Sequence, residues 1–329
     1  NFEHLVKHAE LCSTLLIAAP KVKLLVTTRD ALNLQEAWFY PVLGLTMPPE
    51  QPQPNTGQEA YDAVQLFAQC ARRMRPNFVL ETEWAAVLRI CMLVEGMPLA
   101  IELAAAWLKA MTCDQIAQEV TRGLDFLTAR YQNIPARHRS MRVVMDQSWA
   151  LLAADEADAL ARLAVFRGQF RQEAASAITG ASLFTLAALA EKALLRVTAD
   201  GHYQLHELTR QYAAEQLSNC ANVVLGDAHA HYYAGLLVQA QAHLFTATYR
   251  QAWATVGGEL DNIRHAWQWL INAAGAGRND LPVTTLLRQM TEVLTYYHLF
   301  HSLWLSGQVL FEQAYQVLEA AGWANRSVS

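Results

Sequence analysis

After residue 58 the chain stops alternating between strand-like and helix-like segments. The break is MPPEQPQPNTGQ (47–58), a proline-, glutamine- and polar-rich stretch that suits neither a helix interior nor a central strand, so it reads as a linker. Beyond it, apolar side chains recur at helical spacing through EAYDAVQLFAQCARRM (59–74), TEWAAVLRICMLVEG (82–96), PLAIELAAAWLKAM (98–111) and CDQIAQEVTRGLDFL (113–127). That period predicts amphipathic helices that share a core. Asn77 and Thr82 offer capping signals, and Gly96 and Pro98 punctuate the run. Helix-on-helix packing is therefore the architecture expected for this part of the chain.

Before the linker the pattern is mixed. EHLVKHAELCSTLLIAA (3–19) has helical spacing and stops at Pro20. Lys23-Leu24-Leu25-Val26 reads as a short buried strand running into Thr27, Thr28, Arg29 and Asp30, and WFYPVLGL (38–45) reads as a second strand or edge segment. Ligands of open α/β sheets sit outside the carboxyl ends of strands, which would aim Arg29 at an anion. A solvated turn accounts for the same residues.

A third block, from about residue 134 to 217, holds helices expected at 140–152, 155–165, 171–178 and 182–195. Two alternating stretches in LLRVTADGHYQLH (194–206) are joined at Asp200-Gly201, a strong hairpin signal, and the helix HELTRQYAAEQL (206–217) follows. Helices with a two-stranded wing make a winged-helix arrangement. The remainder reads as helices at 227–245, 248–254, 259–274, 281–300 and 303–321, paired by short connections like a tetratricopeptide-type (TPR-like) solenoid, without a strict repeat.

Composition narrows the function classes. Hydrophobic residues make up 53% and charged residues 17%, which excludes a disordered chain, and a net charge of -5 argues against a large nucleic-acid footprint. Cys12, Cys70, Cys91, Cys113 and Cys220 form no CxxC pair and read as thiols of a reducing compartment. With no signal peptide and no long uncharged apolar run, a cytoplasmic protein without membrane contact is expected. The chain opens at Asn1 without an initiator Met, which suggests a fragment.

Eight segments in order carry a resemblance: NFEHL (1–5), LLVTTRDAL (24–32), EGMPLAIELAAA (95–106), RHRSMRVVMDQSWALL (137–152), LARLAVFRGQF (160–170), LAEKALLRV (189–197), YQLHELTRQYAAEQL (203–217) and ELDNIRHAWQWL (259–270). Over about residues 1–270 the chain resembles the STAND class of signalling NTPases, related to NB-ARC ATPases, and within it the bacterial branch found in LuxR-type and SARP-type regulators. The resemblance implies a mainly α fold in four parts. These are a remnant of a P-loop α/β nucleotide-binding domain (1–50), a helical lid (59–130), a winged helix (131–218) and a TPR-like sensor or interaction domain (226–329).

The same resemblance implies roles for single residues. Arg29 would be the γ-phosphate sensor, its guanidinium fork suited to phosphate oxygens, with Thr28 orienting the loop. Gly96 and Pro98 match a GxPLA motif in which the proline meets adenine, although a plain break between two helices fits as well. His206, in Leu205-His206-Glu207, matches the MHD triplet whose histidine reaches the ADP β-phosphate; a histidine that satisfies a wing-to-helix junction is the competing account. No G-x-x-x-x-G-K-[ST] occurs in the chain. The implied ADP/ATP and Mg would be held by a longer, weakly ATP-hydrolysing parent, and this chain alone would not hydrolyse ATP or bind metal.

Arg137-His138-Arg139 before a helix could face phosphate or the sheet, with a solvated turn as the competing account. His298 and His301, which share a helical face without a third metal ligand nearby, fit an aromatic packing face or groove better than a metal pair. The candidate recognition helix SLFTLAALAEKALL (182–195) holds a single Lys and little polar surface, so direct DNA binding is not expected. Partners would be a protein or a small inducer on the carboxyl-terminal helices, with self-association on activation. The rival expectation is a helical-repeat interaction scaffold with a degenerate, nucleotide-free ATPase remnant.

Overall fold

A computed structural model describes residues 2–28, 31–48, 61–128, 139–244, 246–278 and 282–320. The protein is mainly helical. In chain order its helices begin with α1 (Glu10–Ala18), α2 (Asp62–Met74), α3 (Leu80–Leu93), α4 (Pro98–Ala105), α5 (Cys113–Arg122) and α6 (Met141–Trp149). They continue with α7 (Ala154–Leu163), α8 (Gln172–Thr179), α9 (Leu183–Glu191) and α10 (Glu207–Glu215). The last five are α11 (Asn219–Gln241), α12 (Tyr249–Gly258), α13 (Leu260–Gly275), α14 (Val283–Phe300) and α15 (Trp304–Ala320). Short strands β1 (Gln169–Phe170), β2 (Arg196–Val197) and β3 (Tyr203–Gln204) form one antiparallel sheet in the order β1-β3-β2.

The chain divides into two compact units. The first comprises residues 1–157, 187–195 and 206–215; the second comprises 158–186, 196–205 and 216–329.

In the first unit, the spacing read from the sequence becomes a core. Ala63, Val64, Phe67, Ala68 and Ala71 of α2 are buried against Val87, Ile90 and Cys91 of α3, Ile101 and Leu103 of α4, and Ile116 and Val120 of α5. Leu208 and Tyr212 of α10 complete the cluster. Pro98 sits in the first turn of α4, where its missing N–H costs no hydrogen bond. α5 starts in a capping box, with Thr112 Oγ1 accepting from the Gln115 N–H and Gln115 accepting from the Thr112 N–H. Neither Asn77 nor Thr82 caps α3: Val79 holds the N-cap position, and the Thr82 hydroxyl donates instead to the Val79 carbonyl at 2.9 Å.

Residues before the linker depart from expectation. Neither 23–27 nor 38–45 is a strand, and the described part of residues 2–48 carries helix α1 and no strand at all. The buried strand expected at Lys23–Val26 is exposed: Leu25 is 97% accessible, and Trp38 farther on is 99% accessible. The physical reason is that a strand needs neighbours to take its backbone groups. Phe2 N–H to Thr27 O, at 2.9 Å, supplies such a bond, and no described segment runs alongside 23–28 as a ladder. The expected α/β remnant therefore has no sheet among the described residues.

The second unit holds the sheet and the carboxyl-terminal helices. The hairpin predicted at Asp200-Gly201 is present, with Gly201 in the left-handed region and the Thr198 N–H donating to the His202 carbonyl at 2.8 Å. β1 was not legible, because two residues show no alternation; it pairs Gln169 with Gln204 and Phe170 with Tyr203. The helices pack as successive neighbours, α11 on α13 and α14, and α13 on α14 and α15, a helical-repeat arrangement. α11 begins eight residues earlier than the expected 227, capped by Ser218, whose hydroxyl accepts from the Ala221 N–H at 3.2 Å.

No single helix among the described residues is long and apolar enough to cross a membrane.

Candidate functional site

Two of the sequence motifs meet in the first unit, although they lie far apart in the chain. At the end of α3, Glu95 (φ 46°) and Gly96 (φ 68°) both adopt left-handed backbone before Met97 and Pro98 restart the chain as α4. Left-handed geometry is tolerated by glycine but costs about 1 kcal/mol or more for another residue. It is held here by contacts from elsewhere. The Leu45 N–H donates to the Gly96 carbonyl at 2.9 Å, and a Cβ on Gly96 would lie 2.4 Å from the Leu45 carbonyl oxygen. The strained Glu95 points its side chain at the start of α10, where its Oε1 accepts from the Glu207 N–H at 2.7 Å.

His206 stands beside that contact. Its Nδ1 accepts from the Leu208 N–H at 3.1 Å, which leaves the proton of the neutral ring on Nε2. Nε2 is shut off from solvent and makes no hydrogen bond. Burial lowers the pKa of this histidine; the Glu95 carboxylate, the Val94 carbonyl and the Glu207 carboxylate pull the other way without overcoming it. The Val94 carbonyl is close enough to favour the charged ring yet does not reach hydrogen-bond geometry with Nε2. Glu207 is clamped by Arg210, whose Nε and Nη2 reach its two oxygens at 2.8 and 2.7 Å. Chemically, the site offers one unpaired buried donor, one guanidinium already paired, and two carboxylates.

The Glu95–Glu207 bond thus joins the segment that holds Gly96 and Pro98 to the one that holds His206; Gly96 is buried, and Pro98 is exposed on the first turn of α4. Arg29 lies outside the described residues; Thr28 is described and half-buried. Sequence reasoning passed over Glu95 and Arg210. The signals were present: Glu95 opens the quoted EGMPLA segment, and Glu207 and Arg210 have the i, i+3 spacing of a helical ion pair.

Of the weaker expectations, Arg137 and His138 lie outside the described residues and Arg139 is exposed. His298 is buried with Nδ1 on the Leu294 carbonyl at 2.7 Å, while the His301 ring packs on Tyr297 at 4.4 Å. No group of three or more His, Cys, Asp or Glu able to hold a metal occurs among the described residues.

A second polar cluster, unforeseen, lies in the second unit. Asn262, in the first turn of α13, is completely buried. Its Oδ1 accepts from the Arg167 N–H at 2.7 Å, and its Nδ2 donates to the Gln169 carbonyl at 2.6 Å, so it holds the backbone on either side of Gly168. Glu259, 1% exposed, accepts from Tyr233 Oη at 3.0 Å and lies 3.6 Å from Arg171 Nε. Burial raises the pKa of Glu259 and lowers that of His229, to about 3. The His229 Nε2 meets Asn262 Oδ1 at 3.4 Å. ELDNIRHAWQWL is one of the eight segments that carry the resemblance, but its burial depends on α11 and β1, which no local pattern announces.

No protein-family model matches the chain. Over 285 residues it is 30% identical to a protein of Mycobacterium bovis provisionally named an HTH-type transcriptional regulator, a match covering 82% of this chain and 30% of that protein. A Mycobacterium tuberculosis protein with the same provisional name matches equally, at 30% identity over 285 residues. An uncharacterised Mycobacterium tuberculosis protein is 31% identical over 247 residues, which is 70% of this chain and 59% of its own length. The chain therefore spans 30% of the length of the regulators it matches. Among solved structures, a crystal structure of a signal transduction ATPase with numerous domains (STAND) and a tetratricopeptide repeat sensor, from Pyrococcus horikoshii, matches 79% of this chain and 35% of its own at 14% identity. Its TM-score is 0.31, below the level of a shared fold.

Proposed function

We propose that this chain is the regulatory portion of a STAND-type signal-transduction ATPase, a switch set by ADP or ATP and released by a partner or inducer on its carboxyl-terminal helices. The observation that carries it is the bond from the Glu207 N–H to Glu95, which joins the Gly96–Pro98 turn to the His206 junction, with the Nε2 of His206 buried and unpaired. A buried donor without an acceptor costs free energy, so a phosphate oxygen arriving there would recover it. Arg29 would sense the γ-phosphate, with Thr28 orienting its loop. Nucleotide and Mg would be held mainly by a P-loop in a longer parent, which would be the hydrolytic unit, and activation would proceed by self-association. The helices and wing between α6 and α10 would act as an intramolecular winged-helix clamp. Lys192, the single cation of the would-be recognition helix, is already bound to Glu156 at 2.5 Å, which supports a clamp over a DNA reader. Any DNA-binding output would belong to an effector domain elsewhere in the parent.

One observation favours the rival scaffold reading. Glu95 places a carboxylate at the His206–Glu207 junction, where a phosphate would meet like charge. In the switch reading the nucleotide displaces Glu95, whose bond to the Glu207 N–H is then given up. Calorimetric titration of ADP into a form extended upstream through a P-loop separates the two. The switch predicts that His206→Ala weakens ADP about tenfold or more, while Glu95→Gln tightens it. Absence of ADP binding in the extended wild type would leave the scaffold; ADP bound with unchanged affinity in both variants would remove His206 and Glu95 from the nucleotide site.

A further inference from the structure

The carboxyl-terminal helices carry a concave groove that the nucleotide site does not use. It lies between α12 and the end of α14, is open to solvent with a volume of about 460 Å³, and is lined chiefly by Arg250, Trp253, Gly257, Tyr297 and His301. Three rings form an open corner: Trp253 stands 5.7 Å from Tyr297 at 57°, Tyr297 lies 4.4 Å from His301 at a tilt of 33°, and Trp253 meets His301 nearly at right angles. Gly257 keeps the floor clear, since a Cβ there would lie 3.2 Å from Tyr297 Oη.

The polar lining of this corner is one-sided. Arg250 gives its Nε–H to Tyr249 Oη at 3.1 Å, and its two Nη groups have no protein acceptor among the described residues. The same holds for the Trp253 Nε1–H and the Tyr297 O–H. No carboxylate lines the groove, and Arg264 adds positive potential at Tyr297. Flat apolar walls with unmatched donors at the rim suit a ligand with a flat apolar body and an anionic, acceptor-only head. The volume is that of a small-molecule site.

We propose that this groove binds a small aromatic carboxylate, its ring seated in the Trp253–Tyr297–His301 corner and its carboxylate paired with Arg250. The inference gives the proposed switch its inducer site, and rests on that reading only for any effect on assembly. Occupancy is tested by itself, on the 329-residue chain without nucleotide, with 2-naphthoate as probe and its neutral amide, 2-naphthamide, as comparator. Calorimetry and saturation-transfer NMR should show 2-naphthoate binding with a Kd below about 1 mM, more tightly than the amide. Arg250→Gln, at an exposed position, should weaken the acid about fivefold or more and leave the amide unchanged. Trp253→Leu should weaken both.

Equal binding of acid and amide, insensitivity to Arg250→Gln, or no binding of 2-naphthoate overturns the proposal. So does binding of an acidic decapeptide where 2-naphthoate does not bind, which would make the occupant a protein segment. Because no ADP is present, a failure here leaves the nucleotide switch standing, and a failure of ADP binding leaves the groove.

Discussion

At the scale of single residues, the turn between α3 and α4 shows how far backbone geometry is set by contact. Gly96 needs a positive φ and also faces the Leu45 carbonyl; Gly44 faces the Glu95 carbonyl in the same way, with a Cβ there falling 2.2 Å from that oxygen. Gly96→Ala therefore meets two obstacles, a disfavoured φ and a backbone oxygen that no rotamer change can move. It should destabilise the first unit by about 2 kcal/mol or more, read as a lower urea midpoint, while the exposed Pro98→Ala should stay within about 1 kcal/mol. Equal midpoints would show that residues 44–46 do not press on this turn. The Gly-Met-Pro punctuation was legible in the sequence; its contact with Leu45 was not, because about fifty residues of chain separate the two segments.

At the scale of elements, helices and their starts follow local chemistry, and strand pairing does not. The capping box at Thr112 is a four-residue pattern, and α5 begins where it says. β1 has two residues, and its place is held by a helix nearly a hundred residues later. Asn262 satisfies the Arg167 N–H and the Gln169 carbonyl from inside the core. Asn262→Leu keeps the branching of the side chain, adds bulk at a fully buried position, strands both backbone groups and leaves His229 and Glu259 without this partner, which should cost about 3 kcal/mol. Loss of amide protection at Gln169, Phe170 and Tyr203 in hydrogen exchange, with α2–α5 unaffected, is the expected signature. Protection that falls uniformly would mean that Asn262 supports the fold at large and not the β1–α13 junction.

For the molecule as a whole, each unit buries a neutral histidine, and that couples stability to acid. His229 has its folded pKa lowered to about 3 by burial, with His265 and Arg167 adding to the effect, whereas an unfolded histidine titrates near ~6.5. Below that value the unfolded chain takes a proton that the folded state refuses. The contribution is thus fully present above pH ~6.5 and is lost as pH falls toward 3, at up to ~1.4 kcal/mol per pH unit. His206 is shifted in the same direction and acts with the same sign in the first unit. Glu259 is shifted upward by burial and opposes the loss in the second, because its folded state keeps a proton that the unfolded carboxylate has released. Urea unfolding at pH 7, 6 and 5 should show falling stability, with His229→Gln flattening the trend and Glu259→Gln steepening it. A trend unchanged by His229→Gln would show that the ring is charged in the folded state.

The sequence by itself determined the helices and the Asp200-Gly201 hairpin, since each depends on neighbours within a turn or two of chain, whereas residues 49–58 of the expected linker lie outside the described residues. Only the tertiary structure decided that 23–27 and 38–45 are not strands, that Glu95 meets Glu207 across 112 residues, and that Asn262 is buried. Ladder hydrogen bonds and desolvation belong to pairs of distant segments, and no local periodicity encodes which segments come together.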